Sequence, residues 1–245
     1  MKKVIAHRGF SGRYPENTML AFRKAIEIGA EGAEFDVQLT RDNIPVIFHD
    51  EDLSRVAGYK VFVKDLTYRE LSRYDVSYKW RDQIAPQHVP TLAEYFELVR
   101  DLDFLSNIEL KTAIFEYPGI EQIVIDLIRD YDLSDRVILS SFNHYSLLRC
   151  KEIAPEIPCG ILYECRLAEP QEYAARLGME YLHPWHIFLS DAELDKYDAA
   201  GIKVNAWTVD HAEDMRYLLQ KNCVTGIMSN FPDLLLYQKK ELLGE

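Results

Sequence analysis

The sequence predicts an α/β fold in which short strands alternate with helices, arranged as a parallel eight-stranded barrel or a doubly wound sheet. Brief β-branched or apolar runs recur along the chain, with stretches of helical periodicity between them. The 245 residues, 48% of them hydrophobic, supply one large core and match the usual size of an eight-stranded α/β barrel. The acidic and histidine residues best suited to chemistry fall at or near the C-terminal ends of the runs, where barrels carry their catalytic groups.

Val4-Ile5-Ala6 is the first strand and ends at His7. Phe22, Ala25 and Ile26 recur at helical spacing and predict a helix over 18–28, with Asn17 as its N-cap and Gly29 just beyond its end. The segment from Ala33 to Leu39 is the second strand, and Pro45 to Phe48 the next. Only Thr40-Arg41-Asp42-Asn43 joins them, whereas a parallel crossover takes about a dozen residues, so the two are expected to pair as a hairpin at the barrel's rim. The stretch 51–89 has few strand signals and is read as an insertion leaning over the mouth, within a single domain spanning 1–245. Arg55 and Lys60 in it are expected to be solvated. Thr67 with Glu70, Thr91 with Glu94 and Ser190 with Glu193 have capping-box spacing and predict three helix starts. The remaining strand candidates are 106–110, 137–140, 159–163, 180–182, 202–207 and 225–228. That makes nine candidates, one more than a barrel needs, and the surplus is assigned to the hairpin.

The formal net charge of -12 argues against nucleic acid as a partner, because a polyanion would be repelled. Cys150, Cys159, Cys165 and Cys223 form no C-x-x-C pair, and a chain of this size does not need disulfides, so reduced thiols and a cytoplasmic location are expected. Three apolar residues before His7-Arg8 are too few for a signal-peptide core, and no run is apolar enough to span a bilayer, so no stable membrane insertion is expected.

His7 beside Arg8, and His49 beside Asp50, are parts for proton transfer at a phosphate. Residues two apart on a strand share a face, so Glu34 and Asp36 converge, as do Glu109 and Lys111. Three carboxylates, two histidines and two cations are therefore read as one phosphodiester-cleaving site. A structural network in which Arg8 and Lys111 neutralise the acids is the alternative. Carboxylates brought together repel one another unless protonated or bound to a metal, and an all-oxygen set favours Mg2+ or Ca2+ over zinc. Glu16 and Asn17 are expected to shape a loop and cap the first helix. Asp50 is a candidate to orient His49, although adjacent residues on a strand usually face opposite ways. Trp207 is either core or a wall for substrate. Phe142, His144 and His183 are read first as packing or surface residues, and the pair His183 and His186, flanking Pro184, as a surface loop.

Taken together, His7-Arg8-Gly9, Pro15-Glu16-Asn17-Thr18, Glu34-Phe35-Asp36-Val37-Gln38-Leu39-Thr40, His49-Asp50, Asp65-Leu66-Thr67, Val89-Pro90-Thr91-Leu92 and Ile108-Glu109-Leu110-Lys111 closely resemble the glycerophosphodiester phosphodiesterases. Ser140-Ser141-Phe142, Ala206-Trp207-Thr208-Val209 and the run Gly226 to Asp233 extend the resemblance more loosely. It implies an α/β barrel of the (β/α)8 TIM type, with a small insertion near the mouth, that hydrolyses small glycerophosphodiesters to glycerol 3-phosphate and an alcohol. By motif, His7 and His49 are the implied acid and base, Glu34, Asp36 and Glu109 the ligands of a divalent cation, and Arg8 and Lys111 the phosphate-binding cations, with Trp207 as a wall for glycerol. The family's threonine and asparagine signature after His49-Asp50 is replaced by Leu53-Ser54-Arg55-Val56-Ala57. Two rival readings are a lyase-type phospholipase of the sphingomyelinase D kind, whose catalytic-loop disulfide and C-terminal plug are not seen, and a non-catalytic phosphodiester-binding barrel. A zinc amidohydrolase would want His-x-His where this chain has His7-Arg8-Gly9.

Overall fold

The computed structural model describes residues 2–80 and 82–244, with Tyr78 described by its backbone alone; Arg81, inside the 51–89 stretch, and the two end residues of the 1–245 span lie outside it. Along the described chain run β1 (Lys3–His7), α1 (Met19–Glu27), β2 (Gly32–Leu39), β3 (Pro45–Ile47), the short helices α2 (Ser54–Ala57) and α3 (Tyr68–Leu71), α4 (Leu92–Val99) and β4 (Leu105–Leu110). Helices and strands then alternate as α5 (Ile120–Asp130), β5 (Val137–Ser141), α6 (His144–Ile153), β6 (Cys159–Tyr163), α7 (Pro170–Leu177), β7 (Tyr181–Pro184), α8 (Asp191–Ala199), β8 (Lys203–Ala206), α9 (Ala212–Leu219), β9 (Val224–Ser229) and α10 (Pro232–Leu243). Eight of these strands pair in the order β1-β9-β8-β7-β6-β5-β4-β2, and a parallel β1–β2 pairing closes the ring. This is a (β/α)8 TIM barrel. The surplus strand is β3, which pairs antiparallel with β2 through Val37 opposite Ile47, as the four-residue connection requires.

Strand β2 shows how the two faces divide the work. Phe35 and Val37 point outward into the layer between sheet and helices, where Phe35 meets Tyr95 at 4.3 Å and Phe22 at 5.6 Å between ring centroids. Glu34 and Asp36, one residue out of phase, belong to the opposite face and enter the barrel. Burying those apolar rings on the outer face fixes the strand's register, because a slip of one residue would send the carboxylates into the core.

The helix ends follow local chemistry. All three capping boxes form, with Thr67, Thr91 and Ser190 each accepting from the backbone N–H of the glutamate three residues on. The first helix differs from expectation: Thr18, not Asn17, is its N-cap, taking a 3.2 Å hydrogen bond from the Ala21 N–H. Asn17 adopts a left-handed φ of 55°, which turns its amide toward the barrel. Gly29, with φ of 85°, ends the helix as expected.

His183 also corrects the sequence expectation. It is fully buried on β7 rather than part of a surface loop, while His186 begins a separate helical turn after Trp185. The His183 imidazole fills the space left by the missing side chain of Gly160 on the neighbouring strand β6. Glycine is demanded there by close approach, not by backbone conformation.

A second apolar cluster lies apart from the main core, formed by Val46, Phe48, Leu53, Val56, Ala57, Val63, Leu71, Val76 and Val89. It packs the 51–89 stretch against the β3 side of the barrel. Among the described residues no helix is long and apolar enough to cross a membrane.

Gly160→Ala tests the close approach. The added methyl would overlap the His183 ring, and overpacking of that kind is expected to cost about 1–3 kcal/mol. Urea unfolding should show the loss, and pairing Gly160→Ala with His183→Ala should recover part of it.

Candidate active site

Strand register assembles the site. Parallel pairing sets His7 of β1 beside Glu34 of β2, and Asp36 of β2 beside Glu109 of β4. With Glu34 and Asp36 on one face, all three carboxylates meet at the C-terminal end of the barrel. One oxygen from each of Glu34, Asp36 and Glu109 lies within 4.8 Å of the others, and all three residues are buried. Two cations flank the group: Arg8 Nε is 3.4 Å from Asp36 Oδ2, and Lys111 Nζ is 2.9 Å from Glu109 Oε1 and 3.7 Å from Asp36 Oδ1.

The carboxylates respond unequally. Burial, together with the charges of Asp36 and Glu109, pushes Glu34 well above the ordinary carboxyl range. Burial also raises Glu109, with the Asp36 charge adding to it against the pull of Lys111. Burial works against the ionised form of Asp36 too, but the charges of Arg8, His49 and Lys111 and a hydrogen bond from Asn17 outweigh it and hold the group well below its usual value. That hydrogen bond runs from Asn17 Nδ2 to Asp36 Oδ2 at 2.9 Å, so Asn17 belongs to the site.

The donor set fits a hard divalent cation. Asp36 Oδ1 is buried with no hydrogen-bond partner, which is costly for an ionised oxygen and is relieved by coordination. Three buried carboxylates with raised pKa values on two of them describe a place where either protons or one cation must offset the mutual repulsion.

Each histidine is held differently. His7 lies 3.7 Å from Glu34 through Nε2, and its Nδ1 is 2.7 Å from Asn230 Oδ1. Asn230 Nδ2 donates to Asp210 Oδ2 at 2.7 Å, which leaves Oδ1 as the acceptor toward His7 and puts the proton on Nδ1. Burial, reinforced by the Arg8 charge, pushes the His7 imidazole down to about 4. His49 is close enough to Asp36 and Glu109 to favour the charged form of both. It sits in the turn after β3, where Gln38 Nε2 donates to the carbonyls of Phe48 and Asp50 at 2.7 Å each. Asp50 faces His49, with Oδ1 2.6 Å from Nδ1, because the chain has left the strand and no longer alternates.

Glu16 and Arg55 also depart from the expected roles. Glu16 does more than shape a loop: it accepts from Arg8 Nη1 at 3.0 Å and takes two hydrogen bonds from Arg55. Arg55 is engaged rather than solvated, since it also donates twice to Asp50. Trp207 packs among aromatic side chains at the end of β8. It donates to the His183 carbonyl at 2.7 Å, meets Phe142 edge-on at 5.6 Å and lies nearly parallel to Trp185 at 6.5 Å. His144 lines a different cleft, with Leu167, Pro170, Tyr173 and Arg176. Sequence reasoning gave no role to Gln38, Asn230 or Asp210. Gln38 was visible as the next inward residue after Glu34 and Asp36, whereas Asn230 and Asp210 reach His7 only through the barrel's closure.

The model of the glycerophosphoryl diester phosphodiesterase family matches residues 7–234. A glycerophosphodiester phosphodiesterase of Caldanaerobacter subterraneus subsp. tengcongensis is 44% identical over 95% of this chain and 96% of its own. Another, from Bacillus altitudinis, is 37% identical over 99% and 100% of the two chains. Among solved structures, a phosphodiesterase of Oleispira antarctica in complex with the product sn-glycerol-3-phosphate superposes with a TM-score of 0.86 at 28% identity, covering 97% of this chain and 96% of that one.

Because Glu34 holds its proton above the normal range, cation binding at these carboxylates should expel protons. A ligand must be deprotonated, so affinity should rise as pH increases toward the folded-state pKa of Glu34 and level off above it. Calorimetry with Mg2+ or Ca2+ in buffers of different ionisation enthalpy should show the release. Asp36→Asn should weaken binding by at least about tenfold, by analogy with the loss on altering groups that support a metal.

Proposed function

This chain belongs to the glycerophosphoryl diester phosphodiesterase family, and from that premise we propose how its barrel hydrolyses glycerophosphodiesters to glycerol 3-phosphate and an alcohol. The observation that carries the proposal is the convergence of Glu34, Asp36 and Glu109, flanked by Arg8 and Lys111 and bordered by His7, at one end of the barrel. We assign the three carboxylates as ligands of Mg2+ or Ca2+. When bound, the cation supplies positive charge that offsets charge building on the phosphoryl oxygens.

The chain's own groups do the rest. Arg8 and Lys111 hold the phosphate against the carboxylates and stabilise the transition state from fixed positions. One histidine takes a proton from the nucleophile while the other gives one to the departing alcohol. With Nδ1 committed to Asn230, His7 exchanges protons through Nε2; with Nδ1 committed to Asp50, so does His49. Trp207, with its neighbours Phe142 and Trp185, is proposed as an apolar wall for the glycerol carbons. The 51–89 stretch, with its own apolar cluster, is proposed as an insertion bordering the alcohol side of a single 1–245 domain. A cytoplasmic location is proposed from the four free thiols.

His7→Ala and His49→Ala should each lower kcat by about 10²- to 10⁴-fold with the fold retained. A variant near wild-type kcat would remove that histidine from the mechanism. Chelation should abolish turnover, with Mg2+ or Ca2+ restoring it, and mass spectrometry should find glycerol 3-phosphate and free alcohol as products. A cyclic phosphate as the final product would favour the lyase instead.

A further inference from the structure

Arg55 lies in the stretch where the chain departs from the family's usual residues after His49-Asp50, and its guanidinium grips two carboxylates at once. Nε and Nη2 donate to Asp50 Oδ2 and Oδ1 at 2.6 and 3.1 Å, while Nη1 and Nη2 donate to Glu16 Oε2 and Oε1, both at 2.6 Å. Each carboxylate then touches one member of the site. Asp50 Oδ1 is 2.6 Å from His49 Nδ1, and Glu16 Oε1 accepts from Arg8 Nη1 at 3.0 Å. The result is a continuous chain of paired groups, His49–Asp50–Arg55–Glu16–Arg8, joining a proton-transfer group to a phosphate-binding cation 41 positions away in sequence.

We propose that Arg55 is a positioning residue, which sets the tautomer and aim of His49 through Asp50 and the aim of Arg8 through Glu16. The proposal rests on the assignment of His49 as a catalytic residue. Its physical basis is geometric. Asp50 follows His49 directly in a turn, where nothing in strand geometry keeps it against the imidazole; two hydrogen bonds from one planar guanidinium fix its plane. Asp50 thereby accepts the Nδ1 proton, and Nε2 is left as the nitrogen that exchanges protons. The same fork holds Glu16, so displacement at either end is felt at the other. Lysine cannot reproduce the arrangement, because an ammonium offers a point charge without a planar fork. With the Arg55 side chain 37% exposed, these ion pairs add little to folding, which separates a positioning role from a structural one.

The test compares steady-state kinetics of the metal-loaded full chain on glycerophosphocholine for wild type, Arg55→Ala, Arg55→Lys, His49→Ala and the double variant Arg55→Ala with His49→Ala. Arg55→Ala and Arg55→Lys are each expected to lose about 10- to 100-fold in kcat while unfolding at the wild-type urea midpoint. Methylguanidinium added to Arg55→Ala should restore at least severalfold of the loss, and added methylammonium should not. In the His49→Ala background the cost of Arg55→Ala should shrink to below about threefold, as expected for two groups acting as a unit. Nitrogen-15 NMR should report His49 with its proton on Nδ1 in wild type and as a mixture of tautomers in Arg55→Ala. Lys60→Ala removes a charge from the same stretch and should leave the rate unchanged. If His49→Ala is crippled while Arg55→Ala keeps wild-type kcat, or if the two losses multiply in the double variant, the positioning role is overturned. If His49→Ala itself turns over normally, the catalytic assignment fails first. Should Arg55→Ala prove too unstable to assay, Arg55→Lys decides the matter by its kcat and by its His49 tautomer, with wild-type values in both overturning the positioning role.

Discussion

Three carboxylates forced together by strand register are the constraint to which the rest of this barrel end answers. Side-chain alternation on β2 sends Glu34 and Asp36 inward together, and the β2–β4 register adds Glu109 beside Asp36. Two unit charges about 4 Å apart repel by roughly 4 kcal/mol even at an effective dielectric constant of 20. One exposed ion pair is worth about 0–1 kcal/mol and would not offset that. The chain therefore surrounds the group with several favourable interactions. Arg8, Lys111 and the Asn17 amide keep Asp36 ionised, while Glu34 and Glu109 absorb the remaining repulsion as raised pKa values. A site in this state is poised to exchange protons for one hard cation, and its apolar outer shell of Phe35, Phe22 and Tyr95 keeps the strand from slipping to relieve the strain.

How much of this was legible in the sequence follows from the range of each interaction. Alternation with a period of two needs only the strand itself, so the convergence of Glu34 with Asp36 and of Glu109 with Lys111 could be read directly. The hairpin of β2 and β3 was legible because four residues cannot make a parallel crossover. The capping boxes were legible because they close within one helical turn. What failed was the orientation of residues just outside regular elements. Asn17 was read as a cap and Arg55 as a solvated charge, while Asp50 was left open between orienting His49 and facing away from it. All three depend on how irregular backbone turns, and Arg55 depends in addition on Glu16, 39 positions away. Asn230 and Asp210 were invisible for a similar reason, because they approach His7 only when β9 closes against β1.

The two histidines are supported by different chemistry. His7 is backed at Nδ1 by a neutral amide whose own donor is fixed by Asp210. His49 is backed by a carboxylate that is itself neutralised by a guanidinium. In a protein with formal charge -12, Arg8, Lys111 and Arg55 are thus held by local pairing with carboxylates.

This division also explains where the fold places its rigidity. Gln38 is the third inward side chain on β2, after the two ligand candidates, and it donates to the backbone on both sides of His49 while accepting from Tyr117 at 2.8 Å. The same strand that aims the carboxylates therefore also anchors the turn that carries His49. Any relaxation of β2 to separate Glu34 from Asp36 would carry Gln38 with it and move the imidazole out of line. Charge repulsion, backbone anchoring and the placement of the His49 turn are thus mechanically coupled through one eight-residue strand. The barrel's closed hydrogen bonding, with β2 held by both β1 and β4, is what makes that strand stiff enough to bear the load.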